Sequence, residues 1–174
     1  MKKILLVLTA VIISVNVMAQ HEIGIIAGGI NGVSYKCWLT TDWALQTDLA
    51  VGLTAAPGSV FYKGFNYGTG TNSQYDFTLN PNLEYHFPLA SILKLYVGAG
   101  VNLGLISDLN NTDPNLIMGK AGGNGIVGFV MAPGSHVAIA LDFRPGYGIA
   151  FYDADTPHFS FFDWKLGLAI RYRI

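Results

Sequence analysis

Apolar and polar residues take turns through most of this chain, one position at a time. From Phe161 to Ile174 the even positions read Phe162, Trp164, Leu166, Leu168, Ile170, Tyr172 and Ile174. The odd positions read Asp163, Lys165, Gly167, Ala169, Arg171 and Arg173. A period of two puts these sets on opposite faces of a β-strand. Eight segments carry such a pattern or are spaced like those that do: His21–Ile30, Val33–Thr40, Trp43–Thr54, Gln74–Phe87, Ile92–Ile106, Gly123–Met131, His136–Ala150 and Phe161–Ile174. In the fourth, Tyr75, Phe77, Leu79, Pro81, Leu83, Tyr85 and Phe87 oppose Gln74, Asp76, Thr78, Asn80, Asn82, Glu84 and His86. In the seventh, Val137, Ile139, Leu141, Phe143 and Tyr147 oppose His136, Asp142, Arg144, Gly146 and Gly148. The first and sixth are glycine-rich, and both parities stay open there.

The connections alternate in length. Thr41-Asp42, Pro88 to Ser91 and Ala132-Pro133-Gly134-Ser135 are tight. Ala55–Asn72, Ser107–Gly122 and Tyr152–Ser160 are longer and rich in Gly, Asn, Asp, Tyr and Pro. Asn31-Gly32 reads as a two-residue hairpin. The expected architecture is all-β: an eight-stranded, up-and-down, antiparallel barrel. Pro81 and Pro145 fall in mid-strand, where each removes a ladder donor, and each is expected to mark a bulge or kink.

The N-terminus reads as a secretory signal peptide over residues 1–19. Lys2 and Lys3 precede the apolar run Ile4 to Val15, and Val17-Met18-Ala19 forms a small-residue cleavage site. The barrel domain is then residues 20–174. Cys37, the single cysteine, lies within a strand, so neither an internal disulfide nor an N-terminal lipid anchor is expected. Mean hydropathy is +0.39 while only 12% of residues are charged. That balance is unsuited to a water-soluble surface and suits a barrel that spreads apolarity over alternate positions. Without Lys2 and Lys3, ten Lys+Arg fall to eight against eleven Asp+Glu, so nucleic acid is not an expected partner.

Alternation fits either a lipid-facing or a lumen-facing apolar wall. Three features favour lipid. Rings lie at both ends of the apolar face, as Phe162 and Trp164 against Tyr172, with aliphatic residues between, like the girdles at two water interfaces. Glycines interleave the polar face, where an eight-stranded bore has little room. Opposite charges on that face nearly balance: Lys36, Lys94, Arg144, Lys165, Arg171 and Arg173 against Asp48, Asp76, Glu84, Asp142 and Asp163. Charges in a low-dielectric bore must be paired.

With these features the chain resembles the eight-stranded outer-membrane β-barrel family, the small OmpA- and OmpX-like barrels. The most specific element is the last strand, where Leu168, Ile170, Tyr172 and Ile174 look like the C-terminal signal read by the barrel-assembly machinery, ending in Ile174 where the family usually has Phe. The resemblance implies an integral outer-membrane location in contact with membrane lipid and lipopolysaccharide, and transit with periplasmic chaperones before folding by that machinery. It implies no single activity, and no cofactor is expected.

Candidate chemistry is sparse. His158 and Ser160 share strand parity near one rim, and a His–Ser pair there resembles lipid A deacylases; a loop histidine followed by a strand-starting serine is the plainer reading, and no catalytic residue is assigned. Glu84 and His86 share a face with Lys94 across the tight turn. A metal or proton-transfer site is conceivable there, whereas a salt-bridged plug with a Glu84–Lys94 cross-strand pair suits the pattern better. Asp142 is expected to reach Arg171 diagonally. Phe61, Tyr62, Phe65 and Tyr67 cluster in the long connection Ala55–Asn72, a composition suited to contact with an extracellular or surface protein, or to extending the aromatic girdle. The function expected is non-enzymatic, structural or surface-interacting, with a charge-plugged lumen. A lipid A-modifying hydrolase and a narrow passive channel are the alternatives.

Overall fold

The computed structural model describes residues 20–53, 61–62, 65–66, 74–108, 117–132, 136–151 and 159–174. Its strands are β1 (His21–Gly28), β2 (Gly32–Trp38), β3 (Trp43–Leu53), β4 (Phe61–Tyr62), β5 (Phe65–Asn66), β6 (Gln74–Ala90), β7 (Leu93–Asp108), β8 (Ile117–Met131), β9 (Val137–Phe151) and β10 (Phe159–Arg173). β4 and β5 form a separate two-stranded sheet. The other eight close into a barrel in the order β1-β10-β9-β8-β7-β6-β3-β2, every neighbour antiparallel. Closure leaves no unpaired edge, and the seam joins the first strand to the last, from Glu22↔Arg173 to Gly28↔Gly167.

The period of two decides which way each side chain points. Along β10, Leu166, Leu168, Ile170 and Tyr172 are exposed while Gly167, Ala169 and Arg171 are buried. Polar side chains fill the inside, among them Ser34, Lys36, Gln46, Asp48, Asn82 and Glu84. Apolar inward residues, Ile26, Ile126, Val130 and several alanines, pack between them. The two open parities are settled: Glu22 and Ile26 point inward from β1, and Ile126 and Val130 from β8.

Outside, rings gather toward both ends of the cylinder. At the end that carries the termini, Trp43 packs edge-on against Tyr85, which packs on Phe87. Toward the other end Phe143 lies near Trp164. Aliphatic side chains such as Leu141, Leu166 and Leu168 form the belt between. His136 departs from the sequence expectation. It precedes β9 and stacks on the outward Tyr172, because the backbone leaves the strand register before Val137.

Several local expectations need correction. The first hairpin turn is longer than Asn31-Gly32, running from Gly28 to Asn31. Gly28 sits at φ +124°, open only to glycine, and Asn31 bonds both backbone polar groups of Gly28 at 3.2 Å. Neither Pro81 nor Pro145 marks a bulge. β6 and β7 keep one register on either side of Pro81, and β8 and β9 do so around Pro145; pairing merely lapses there on one side of the strand. The register shift falls instead between Pro88 and Ala90, where β6 continues into the expected turn. β8 begins at Ile117, inside the expected loop, since its glycines pair with β7 and β9 despite their low strand propensity.

Candidate functional site

The bore is built by one recurring arrangement: a long inward side chain passes over a small residue on the next strand to meet a partner on the strand beyond. Lys36 on β2 stands opposite Gln46 of β3 and crosses that strand diagonally past Ala44, the residue facing Glu84, so that its Nζ reaches Glu84 Oε2 on β6 at 2.6 Å. Tyr96 on β7 lies across Gly128 of β8 and donates its hydroxyl to Asp142 Oδ2 on β9 at 3.1 Å. Arg171 on β10 spans β1 at Gly24, and its Nε donates to Ser34 Oγ on β2 at 2.8 Å. Asn124 on β8 passes Gly100 of β7 and donates to Asn82 Oδ1 on β6 at 2.6 Å. In so narrow a cylinder, wall curvature brings alternate strands within side-chain reach.

One contact crosses the full diameter. Arg144 on β9 pairs through Nη1 with Asp48 on β3, the strand facing it four places away around the ring. The same guanidinium holds Asp142 through Nε at 3.1 Å and Nη2 at 2.9 Å, and Gln46 donates to both oxygens of Asp48. Asp142 fits because Gly167 stands opposite: a Cβ there would lie 2.7 Å from Asp142 Oδ1.

Toward the terminal end the column continues as three packed rings between two lysines. Lys36 Nζ sits 4.7 Å from the Tyr96 ring, Tyr96 stacks on His86 at 5.0 Å, and His86 packs on Trp38 at 4.5 Å. Lys94 Nζ covers Trp38 at 4.7 Å. His86 Nε2 also contacts Glu84 Oε2 at 3.0 Å. Glu22 ties the seam by accepting from Trp38 Nε1 at 3.0 Å and from Arg173 Nη2 at 2.9 Å.

Two expected pairings do not form. Glu84 faces Gly98 and bonds Lys36, whereas Lys94 stands opposite Pro88 and donates to the Thr41 carbonyl at 3.3 Å. Asp142 faces Gly167 and is taken by Arg144 and Tyr96, whereas Arg171 stands opposite Ala138. Both expectations used adjacent strands; the partners taken are two strands away, Lys36 for Glu84 and Tyr96 for Asp142, or on the same strand, Arg144 for Asp142. Lys165 is half-buried. Asp76 lies in β6 and Asp163 in β10, their side chains outside the described residues. Glu22 and Lys120 are both buried inside; Glu22 comes from the first strand, whose parity was open, and Lys120 from the expected loop Ser107–Gly122, where β8 in fact begins. The Glu22–Arg173 pair was the available signal, since first and last strands of a closed barrel must meet.

Leu168, Ile170, Tyr172 and Ile174 all point outward and are exposed. Phe61, Tyr62 and Phe65 lie in the β4–β5 hairpin, with side chains outside the described residues; Tyr67 and His158 are themselves outside them. Ser160 pairs with Ile149 near the start of β10. Among the described residues, no group of three His, Cys, Asp or Glu could hold a metal ion.

A closed eight-stranded cylinder, apolar outside and ionic within, is an integral barrel of the outer-membrane type. The chain is similar in fold to Neisserial surface protein A, at TM-score 0.60 and 15% identity, over 90% of this chain and 94% of that one. It is also similar to the N-terminal β-barrel domain of Pseudomonas aeruginosa OprF, at TM-score 0.54 and 14% identity, over 90% and 96% of the two chains. No family model matches the sequence, and no curated protein does.

Proposed function

We propose that this barrel is a non-enzymatic outer-membrane protein with a closed lumen, whose role is structural or resides in its loops. The observation that carries this reading is the Arg144–Asp48 contact across the diameter, with Lys36–Glu84 and Tyr96–Asp142 filling the bore beside it. These side chains are held by several partners each, so the lumen is occupied by a fixed network and leaves no wide aqueous path. Lipid and lipopolysaccharide are the contacts of the outer wall. Biogenesis uses periplasmic chaperones and the barrel-assembly machinery, with Leu168, Ile170, Tyr172 and Ile174 as the recognised strand face. Phe61, Tyr62, Phe65 and Tyr67 are the residues offered to an extracellular or surface protein.

Planar-bilayer recording of the purified protein tests the closed lumen. The expected trace lacks discrete conductance steps, and regular steps from the unmodified protein would overturn the reading. Lipid A from cells overproducing the chain should keep its acyl pattern; acyl loss abolished by Ser160→Ala would make it a hydrolase instead.

A further inference from the structure

The terminal end of the bore opens into a vestibule of about 690 Å³ lined by Gln20, Trp38, Thr40, Thr41, Ser91, Lys94 and Arg173, with apolar contributions from Leu39, Ile92, Val130 and Ala132. Its size is that of a small-molecule site. Among the described residues no carboxylate lines it, while two cations do. Arg173 is largely compensated, since Nε and Nη2 both contact Glu22 Oε1. Lys94 is different. Its contacts are the Thr41 carbonyl and the Trp38 ring, neither of which carries a formal negative charge. Lys36, Arg144 and Arg173 each meet a carboxylate at 2.9 Å or closer, while Arg171, bonded to Ser34 Oγ, is buried in the bore and does not line the vestibule. The half-buried Lys94 ammonium is therefore an uncompensated charge in a concave, partly desolvated mouth, flanked by hydroxyl donors.

We propose that this vestibule binds a small oxyanion, a molecule carrying phosphate or carboxylate groups, with Lys94 as the principal contact and Arg173, Thr40, Thr41 and Ser91 as supporting donors. Charge-assisted hydrogen bonds are the strong kind, and a low-dielectric rim makes them stronger. Trp38 forms the floor: it is buried, and its ring is covered by the Lys94 ammonium and packs against His86. A ligand that draws Lys94 toward itself disturbs that ring directly. The inference rests on the fold and is independent of whether the lumen conducts.

The test uses the intact protein, purified from membranes in a non-ionic detergent and titrated with inorganic pyrophosphate and, separately, citrate. Sodium chloride at matched ionic strength is the control. Calorimetry reads affinity, and ¹⁵N resonances of the indole groups report position. Saturable binding is expected for at least one oxyanion, with the Trp38 signal shifting while Trp164 stays still. Which of the two binds distinguishes phosphate from carboxylate chemistry. Lys94→Gln should weaken binding tenfold or more, and Lys94→Arg should retain it. Lys165→Gln, altering a cation toward the far end, should leave it unchanged. Strand content by circular dichroism verifies that each variant is folded. Absence of saturable binding, equal response to chloride, or unchanged affinity in folded Lys94→Gln overturns the proposal.

Discussion

Replacing Glu84 by glutamine removes a charge from the centre of the bore while keeping its shape. Lys36 is then left buried beside Tyr96, with the likewise buried Arg171 guanidinium also inside the bore. At an effective dielectric constant of about 20, unit charges separated by the observed 2.6 Å attract by about 6 kcal/mol, an upper limit on what is lost. Desolvation has already consumed part of that gain. Removal of one partner from a buried pair costs about 3–5 kcal/mol, and Glu84→Gln and Lys36→Met should each fall in that range. The double variant removes both charges together and leaves no orphan. It should recover about 2–3 kcal/mol relative to the sum of the single losses. Equilibrium unfolding in urea from lipid vesicles, followed by tryptophan fluorescence, measures all four corners of the cycle, because Trp38 lies 6.0 Å from Lys36 Nζ. Additivity within about 0.5 kcal/mol would show that the two residues do not act as a pair. The account of the column given above would then be wrong.

Other perturbations separate the remaining parts of the structure. Arg144→Met strands two carboxylates, Asp48 and Asp142, and should cost at least as much as Lys36→Met in the same unfolding assay. Leu168→Arg on the lipid face should destabilise by about 2–4 kcal/mol in vesicles if that position lies near the bilayer midplane; no loss would argue against an apolar surround. Gly24→Ala would put a Cβ 1.9 Å from the Ile170 carbonyl oxygen and should prevent seam closure, whereas at Gly123 the nearest neighbour is 3.8 Å away and alanine should be accepted. Folded yield after refolding into vesicles tests that contrast.

Strand number, lipid-facing side and ring placement were legible because each depends on a single strand and its period of two. Leu166, Leu168 and Ile170 could be assigned without knowing any neighbour. Pairing inside the bore was not legible in the same way. The cross-strand rule led to Glu84–Lys94 and Asp142–Arg171, yet each side chain reaches past a small residue to the strand beyond. The clue was present in Ala44, Gly128 and Gly100, whose small size marks where something passes overhead. It becomes usable only once the barrel's order and register are known. β1 and β8 resisted reading because glycine has no side chain with which to declare a face: Glu22 went unassigned for want of a parity, and Lys120 because the glycine-rich start of β8 read as loop. The bulge likewise followed the continuation of β6 past Pro88, and not the prolines in mid-strand, whose missing donors cost only local pairs.

The seam between β1 and β10 has a consequence for how the molecule is made. Its two sides are the earliest and the latest strands of the cylinder, and the backbone of Ile174 donates to the carbonyl of His21 at 2.8 Å. Until the final residues are in place, both lips of the sheet carry unsatisfied amides and carbonyls, ready to recruit any passing strand. The lock is therefore β10: a chain without Phe159–Arg173 has every other strand of the cylinder and still cannot shut.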